Sequence, residues 1–253
     1  MDLGLAGRVY VLTGASRGLG YATAECLVAD GARVVISSRD AERAVAAAER
    51  LGGPDRAVAV TADLAEQDTA NRLVDMARHR FSRFDGALIS VGGPPHGTAA
   101  SVTDEQWRGS FETVFLGAVR AARTFAAALP EGGAVAFVLS SSARSPIAGL
   151  GISNGLRPGL AGVAKDMADE FGPRGLRFVS LLPGRILTER NQELFAATGD
   201  PDRARAEAVA SIPLRRIGDP AEFGRVAAFA LSPAASYVTG SAIIVDGGMI
   251  RGL

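Results

Sequence analysis

The chain has 253 residues, 47% of them hydrophobic, which suits one sizeable domain with a continuous core. Lysine plus arginine and aspartate plus glutamate balance at 27 each, so the composition offers no electrostatic footprint for nucleic acid or an anionic membrane. One cysteine, Cys26, rules out an internal disulfide. The opening residues Met1 to Gly7 lack the basic and long apolar segments of a signal peptide, and no apolar run reaches bilayer length, so a soluble, cytoplasmic protein is expected.

The first element is an apolar strand, Val9-Tyr10-Val11-Leu12, running through Thr13 into Gly14-Ala15-Ser16-Arg17-Gly18-Leu19-Gly20 and then a helix. Side chains at Gly14, Gly18 or Gly20 would obstruct a pyrophosphate seeking backbone N–H groups and the positive end of a helix, so this reads as a dinucleotide-binding turn. Strands follow at Ala32–Ile36, Ala57–Ala62, Gly86–Val91, Val135–Ser140, Leu176–Leu182 and Ala242–Asp246, separated by helices over 19–29, 40–51, 66–82, 103–129, 153–171, 187–197, 201–211 and 219–231. Near-continuous apolar strands alternating with amphipathic helices predict a single doubly wound α/β domain over 1–253, a Rossmann fold whose seven-stranded parallel sheet is flanked by helices.

Ligands of such sheets sit at the carboxyl ends of the strands. The second strand ends in Ser37-Ser38-Arg39-Asp40, with no carboxylate where a ribose hydroxyl would be read. Arg39, with Arg17 from the glycine turn, favours a 2′-phosphate and therefore NADP over NAD. Asp40 reads as a helix cap. Asp63 with Leu64, after the third strand, faces the adenine position or caps the next helix. Gly92-Gly93-Pro94-Pro95-His96-Gly97, after the fourth, is a stiff loop expected to line the pocket.

The chain resembles the short-chain dehydrogenase/reductases of the 3-oxoacyl-carrier-protein reductase-like type nearly end to end. The resemblance rests on Thr13-Gly14-Ala15-Ser16-Arg17-Gly18-Leu19-Gly20, on Leu182-Pro183-Gly184 with Thr188, and on Asp246-Gly247-Gly248. It implies a small-molecule substrate and homotetramers. It also implies cofactor contacts from Pro183 and Gly184 along the nicotinamide, from the Ile186 backbone, and from Thr188 to the carboxamide. Leu214, Ile217, Phe223, Met249 and Ile250 would suit burial between subunits.

The departures from that family are concentrated where its chemistry lies. Its Tyr-x-x-x-Lys pair falls on Ser153 and Arg157, its helix asparagine on Val114, and the asparagines closing the fourth strand on Ile89 and Ser90. Its serine, thirteen residues before Ser153, falls on Ser140, with Ser141 next in line and Ser142 two residues off. A set of bacterial members resembles the chain in Gly92-Gly93-Pro94-Pro95, Ser153-Asn154-x-x-Arg157 and Pro183-Gly184-Arg185. Serine is a far weaker acid than tyrosine and shorter, while arginine stays charged and suits a ribose or a developing oxyanion. His96 is a candidate relocated acid or a solvated loop residue. Asn154 orients water or substrate, or caps its helix. Arg185 and Arg190 suit a carboxylate or a phosphopantetheine-like group, or an exposed segment. No metal-ligand set is assigned. Three functions stay open: NADP-dependent carbonyl reduction, hydride addition to a conjugated alkene, and cofactor binding without turnover.

Overall fold

Seven parallel strands, β1 (Val9–Leu12), β2 (Arg33–Ser38), β3 (Ala57–Thr61), β4 (Gly86–Ser90), β5 (Ala134–Val138), β6 (Arg177–Pro183) and β7 (Ser241–Val245), form one sheet in the order β3-β2-β1-β4-β5-β6-β7. The computed structural model describes residues 2–252; Met1 and Leu253 lie outside them. Chain order reverses between β1 and β4, which opens the crevice where ligands of doubly wound sheets bind. Thr13 fixes that point: its hydroxyl donates to the Ser90 carbonyl and accepts from the Ser90 N–H, both at 2.9 Å.

The inner strands are apolar on both faces because helices cover both. On one face α1 (Gly18–Ala29) and α2 (Ala41–Arg50) pack with a late helix, α9 (Pro220–Leu231), through Leu27, Ala47 and Phe223. On the other, α3 (Thr69–Phe81), α5 (Gly117–Ala128) and α6 (Gly151–Phe171) contribute Leu73, Phe125 and Leu160. Between α3 and α5 lies α4 (Asp104–Ser110), opened by a reciprocal cap between Thr103 and Gln106. The remaining helices, α7 (Glu189–Ala196) and α8 (Pro201–Ser211), follow β6. Among the described residues no helix is long and apolar enough to cross a membrane.

Several expectations are corrected. The helix expected over 103–129 is interrupted by a π-helical turn at Phe111–Leu116, a widening that periodicity does not reveal. The helix expected from 66 starts at Thr69, because Asp63–Glu66 closes its own turn (Glu66 N to Asp63 O, 3.1 Å). Asp63 accordingly accepts from Ala65 N–H at 3.0 Å within that turn and does not cap α3. Phe223 is fully buried against the sheet and is not available to a subunit interface. Leu214 and Ile244, by contrast, are 62% and 38% exposed.

Candidate active site

The glycine turn is shaped by contacts that tolerate no side chain. Gly14 has φ +58°, and a Cβ there would lie 2.7 Å from the Ser90 carbonyl oxygen. At Gly20 a Cβ would lie 2.8 Å from the Gly14 carbonyl oxygen, so α1 starts directly against the turn. Gly92 across the crevice has nothing within 4 Å of a Cβ position, leaving its backbone bare toward the opening. Between them runs a cleft of about 530 Å³ lined by Gly14, Ser16, Arg17, Ser38, Arg39, Asp63, Leu64 and Gly92. Eight of the positions read from the sequence as cofactor contacts therefore share one cavity.

At its outer end the cleft is cationic. The Ser16 hydroxyl donates to that of Ser38 at 3.0 Å, tying the glycine turn to the end of β2. Arg17, Arg39 and Arg43 line the same wall. Asp40 is occupied as the α2 cap, accepting from Arg43 N–H at 2.9 Å, and pairs with the Arg43 guanidinium at 3.2 Å. The Arg39 side chain is 75% exposed and only 4.0 Å from Asp63 at its nearest, a contact of little energy that leaves the guanidinium free to meet a ligand.

Behind the Gly92 wall of the cleft, one turn of α6 buries both Ser153 and Arg157. Helix α6 approaches closely because Gly155 and Gly159 lie under Trp107 and Phe115, where a Cβ would meet ring carbons at 2.9 and 2.8 Å. Ser153 is buried, and its hydroxyl lies 3.0 Å from that of Ser142, not that of Ser140. Ser140 instead caps the short turn 141–143, accepting from Ser142 N–H at 3.1 Å. Counting residues missed Ser142, because the count presumes an extended run where the chain makes a tight 3-10 turn that brings residue 142 around.

Arg157 is 5% exposed. Its Nη1 donates to the Val138 carbonyl at 3.0 Å and its Nη2 reaches the Gly92 carbonyl at 3.5 Å, so it bridges the ends of β5 and β4. Its Nε has no partner among the described residues. Among the described residues no carboxylate offsets the charge, and burial lowers its pKa to about 10. Arg177, equally buried, shows how this fold satisfies a structural guanidinium: it makes three carbonyl bonds, to Ala230, Val238 and Ser232, at 2.9–3.1 Å. Arg157 is held in a posture that leaves donor capacity unused. The unused Nε is itself buried, so what a ligand bringing negative charge would meet is the guanidinium charge felt through the Gly92 wall of the cleft.

Two candidates lose the roles first open to them. Asn154 sits inside α6, and its amide closes on the backbone of Ile147, accepting from the N–H and donating to the carbonyl at 2.9 Å each, so it holds the 143–150 loop and is no helix cap. His96 Nε2 lies 3.1 Å from Arg190 Nη2, and burial and then the Arg190 charge lower its pKa. A ring that accepts from a guanidinium is neutral and is a poor proton donor. The three tyrosines stand elsewhere: Tyr10 in the core, Tyr21 under Arg50, and Tyr237 fully exposed.

The turn after β6 completes the site. Gly184 is required by packing, since a Cβ would lie 2.5 Å from that of Asp246. The Ile186 carbonyl is already engaged by Thr188 N–H at 2.8 Å and by the Asn191 amide, while Thr188 caps α7 and stands next to Gly18. Helix α7 is fastened across the crevice by Glu193 to Arg17 at 3.3 Å and by Arg190 to the Pro94 carbonyl at 3.3 Å.

Comparison with known proteins places this architecture. The model of the family described as enoyl-(acyl carrier protein) reductase matches residues 14–250. The chain is similar to an uncharacterised oxidoreductase of Methylorubrum extorquens, with 32% identity over 97% of this chain and 98% of the relative. It is also similar to human dehydrogenase/reductase SDR family member 4, with 31% identity over 96% and 88%. Among solved structures it superposes on a Brucella melitensis short-chain dehydrogenase/reductase, described as a glucose/ribitol dehydrogenase, with TM-score 0.92, 30% identity and full coverage of both chains. It superposes likewise on a Pseudomonas aeruginosa short-chain oxidoreductase described as containing an atypical catalytic centre, with TM-score 0.90, 29% identity and full coverage. With a glycine-turn cleft, a seven-stranded parallel sheet and relatives matched along almost its whole length, this chain belongs to the short-chain dehydrogenase/reductase family, whose members use nicotinamide cofactors.

Proposed function

We propose that the protein is an NADP(H)-dependent oxidoreductase that reduces the carbonyl of a small or acyl-linked substrate with a rebuilt active site. The observation that carries this reading is Arg157, a buried guanidinium with an unpaired Nε at the ends of β4 and β5, beside the Ser142–Ser153 hydroxyl pair. The Pseudomonas relative with its atypical catalytic centre is a precedent within the family.

The cleft fits the cofactor. Gly14, Gly18, Leu19, Gly20 and Gly92 would leave room for the pyrophosphate, Asp63 and Leu64 would face the adenine, and Pro183, Gly184, Ile186 and Thr188 would border the nicotinamide. Ser38 with Arg17 and Arg39 would take the 2′-phosphate, since β2 ends in Ser38 and the nearby Asp40 is taken up by Arg43. A reduced nicotinamide bound there supplies the hydride. Arg157 stabilises the negative charge that grows on the substrate oxygen. The oxygen gains its proton from solvent through Ser153 and Ser142, each hydroxyl giving one proton and taking another, so the relay needs no strong acid. Ser140 shapes the turn that presents Ser142, and Asn154 positions the adjoining loop.

Hydride addition to a conjugated alkene is the second reading. It is favoured by the lack of an acid with a near-neutral pKa at the oxygen and by the description of the matched family model. Charge spread over an enolate asks less of a proton donor. NADPH oxidation measured across β-keto esters, quinones and enones separates the readings: turnover of ketones supports the first, enones alone the second, and binding without turnover refutes both. We further propose a homo-oligomer, a tetramer by family analogy, with exposed Leu214 and Ile244 at its contacts.

A further inference from the structure

The approach to the inner site, between α7 and the 92–97 loop, carries positive charge that the reduction chemistry does not use. Arg185 follows Gly184 directly at the end of β6, and its backbone is fixed by Gly218 N–H donating to the Arg185 carbonyl at 2.9 Å. Its half-buried guanidinium packs 5.9 Å from the centre of the Phe195 ring on α7. It has no carboxylate within ion-pair distance among the described residues, and burial alone lowers its pKa. Arg190, on the same helix α7, is bonded to His96 and Pro94, and both guanidinium groups depress the His96 pKa. Of the acids of α7, Glu193 is shared between Arg17 and Arg190, and among the described residues none pairs with Arg185. Glu193 is drawn to Arg17 at 3.3 Å and lies 3.8 Å from Arg190, and Glu189 faces Gly18.

Burying a cationic group such as Arg185 with no counter-charge is costly unless a ligand supplies one. A planar guanidinium held on an aromatic face presents its donors in a fork that matches a carboxylate or a phosphate. We propose that this mouth recognises an anionic group on the substrate, a carboxylate or a phosphate, with Arg185 as its principal ligand and Arg190 and His96 flanking it. The proposal deepens the carbonyl-reductase reading by giving its substrate a charge, and rests on that reading for the reaction.

Two substrate pairs distinguish the sources of charge: 3-oxobutanoate against its ethyl ester, and dihydroxyacetone phosphate against dihydroxyacetone. The native enzyme is expected to favour the charged member of one pair by roughly tenfold or more in kcat/KM, the value of a charged hydrogen bond. Arg185→Ala should collapse that ratio and Arg185→Lys should restore part of it. Equal handling of both members of both pairs, or a ratio unchanged in Arg185→Ala, overturns the proposal. If nothing is turned over, the reductase reading fails while calorimetry still decides this one. Heat from butanoate or inorganic phosphate in the native protein that vanishes in Arg185→Ala supports an anion site; no heat in the native protein, or the same heat in both, refutes it.

Discussion

Replacing Arg157 by methionine separates a functional guanidinium from a structural one. Its pKa falls from 12.5 to about 10 through burial, a cost of roughly 3 kcal/mol at neutral pH that the native fold bears. Methionine fills similar space and removes that cost. It also removes the bond to the Val138 carbonyl, worth about 1.5–3 kcal/mol, and the longer one to Gly92, worth less. The two effects nearly cancel, so Arg157→Met is expected to unfold within about 4 °C of the native protein, since about 1 kcal/mol moves the midpoint of a domain this size by roughly 2–4 °C. Loss of charge stabilisation at the reacting oxygen should at the same time lower kcat/KM at least about a hundredfold. Arg177→Met is the control: three short carbonyl bonds are lost there, so the midpoint should drop steeply. Thermal unfolding and steady-state NADPH oxidation on both variants supply the readouts. A large fall in the midpoint of Arg157→Met, with the folded fraction keeping native kcat/KM, would show that Arg157 only holds the strands together and would refute the reasoning.

Other outcomes follow from the same geometry. Arg39→Asp places a carboxylate where the 2′-phosphate would sit, so fluorescence titration should show NADPH affinity falling at least about tenfold and NADH becoming the tighter ligand. Gly20→Ala forces a Cβ to 2.8 Å from the Gly14 carbonyl oxygen and 2.9 Å from the Ala15 Cα, and should cost about 1–3 kcal/mol of stability, whereas Gly92→Ala, with open space around it, should leave the unfolding midpoint unmoved while weakening NADPH binding. Because the His96 pKa is lowered in the folded chain, the unfolded chain takes up that proton first as pH falls. Stability is therefore retained above about pH 6.5 and lost below it, and the native protein should lose stability relative to His96→Gln between pH 7 and 5 in urea titrations.

What the sequence made readable was what depends on local pattern. All seven strands lie within two residues of their expected bounds, because buried parallel strands read as uninterrupted apolar runs and the turns between them carry glycine or a capping residue. The cofactor cleft was readable for a related reason: Gly14, Gly18 and Gly20 answer to backbone sterics that any reader of the chain can apply. The catalytic end was less so. Ser142 reaches Ser153 only through a 3-10 turn, Asn154 spends its amide on Ile147 across seven residues, and His96 is claimed by Arg190 from ninety-four residues away. These are tertiary pairings between flexible polar side chains, and no periodicity encodes them. The π-helical turn at Phe111–Leu116 was hidden too, since one added residue in a helix barely disturbs an apolar repeat.

The central claim is that this chain passes hydride from NADPH to a carbonyl carbon without a tyrosine at the oxygen. It is tested most directly by incubating the protein with [4-²H]NADPH of each face and a β-keto ester, and locating the label by mass spectrometry. The account predicts deuterium on the carbinol carbon from one face of the nicotinamide, with the hydroxyl proton derived from water, and loss of that transfer in Arg157→Met. NADPH that binds in the glycine-turn cleft but delivers label to no product from either face would contradict it.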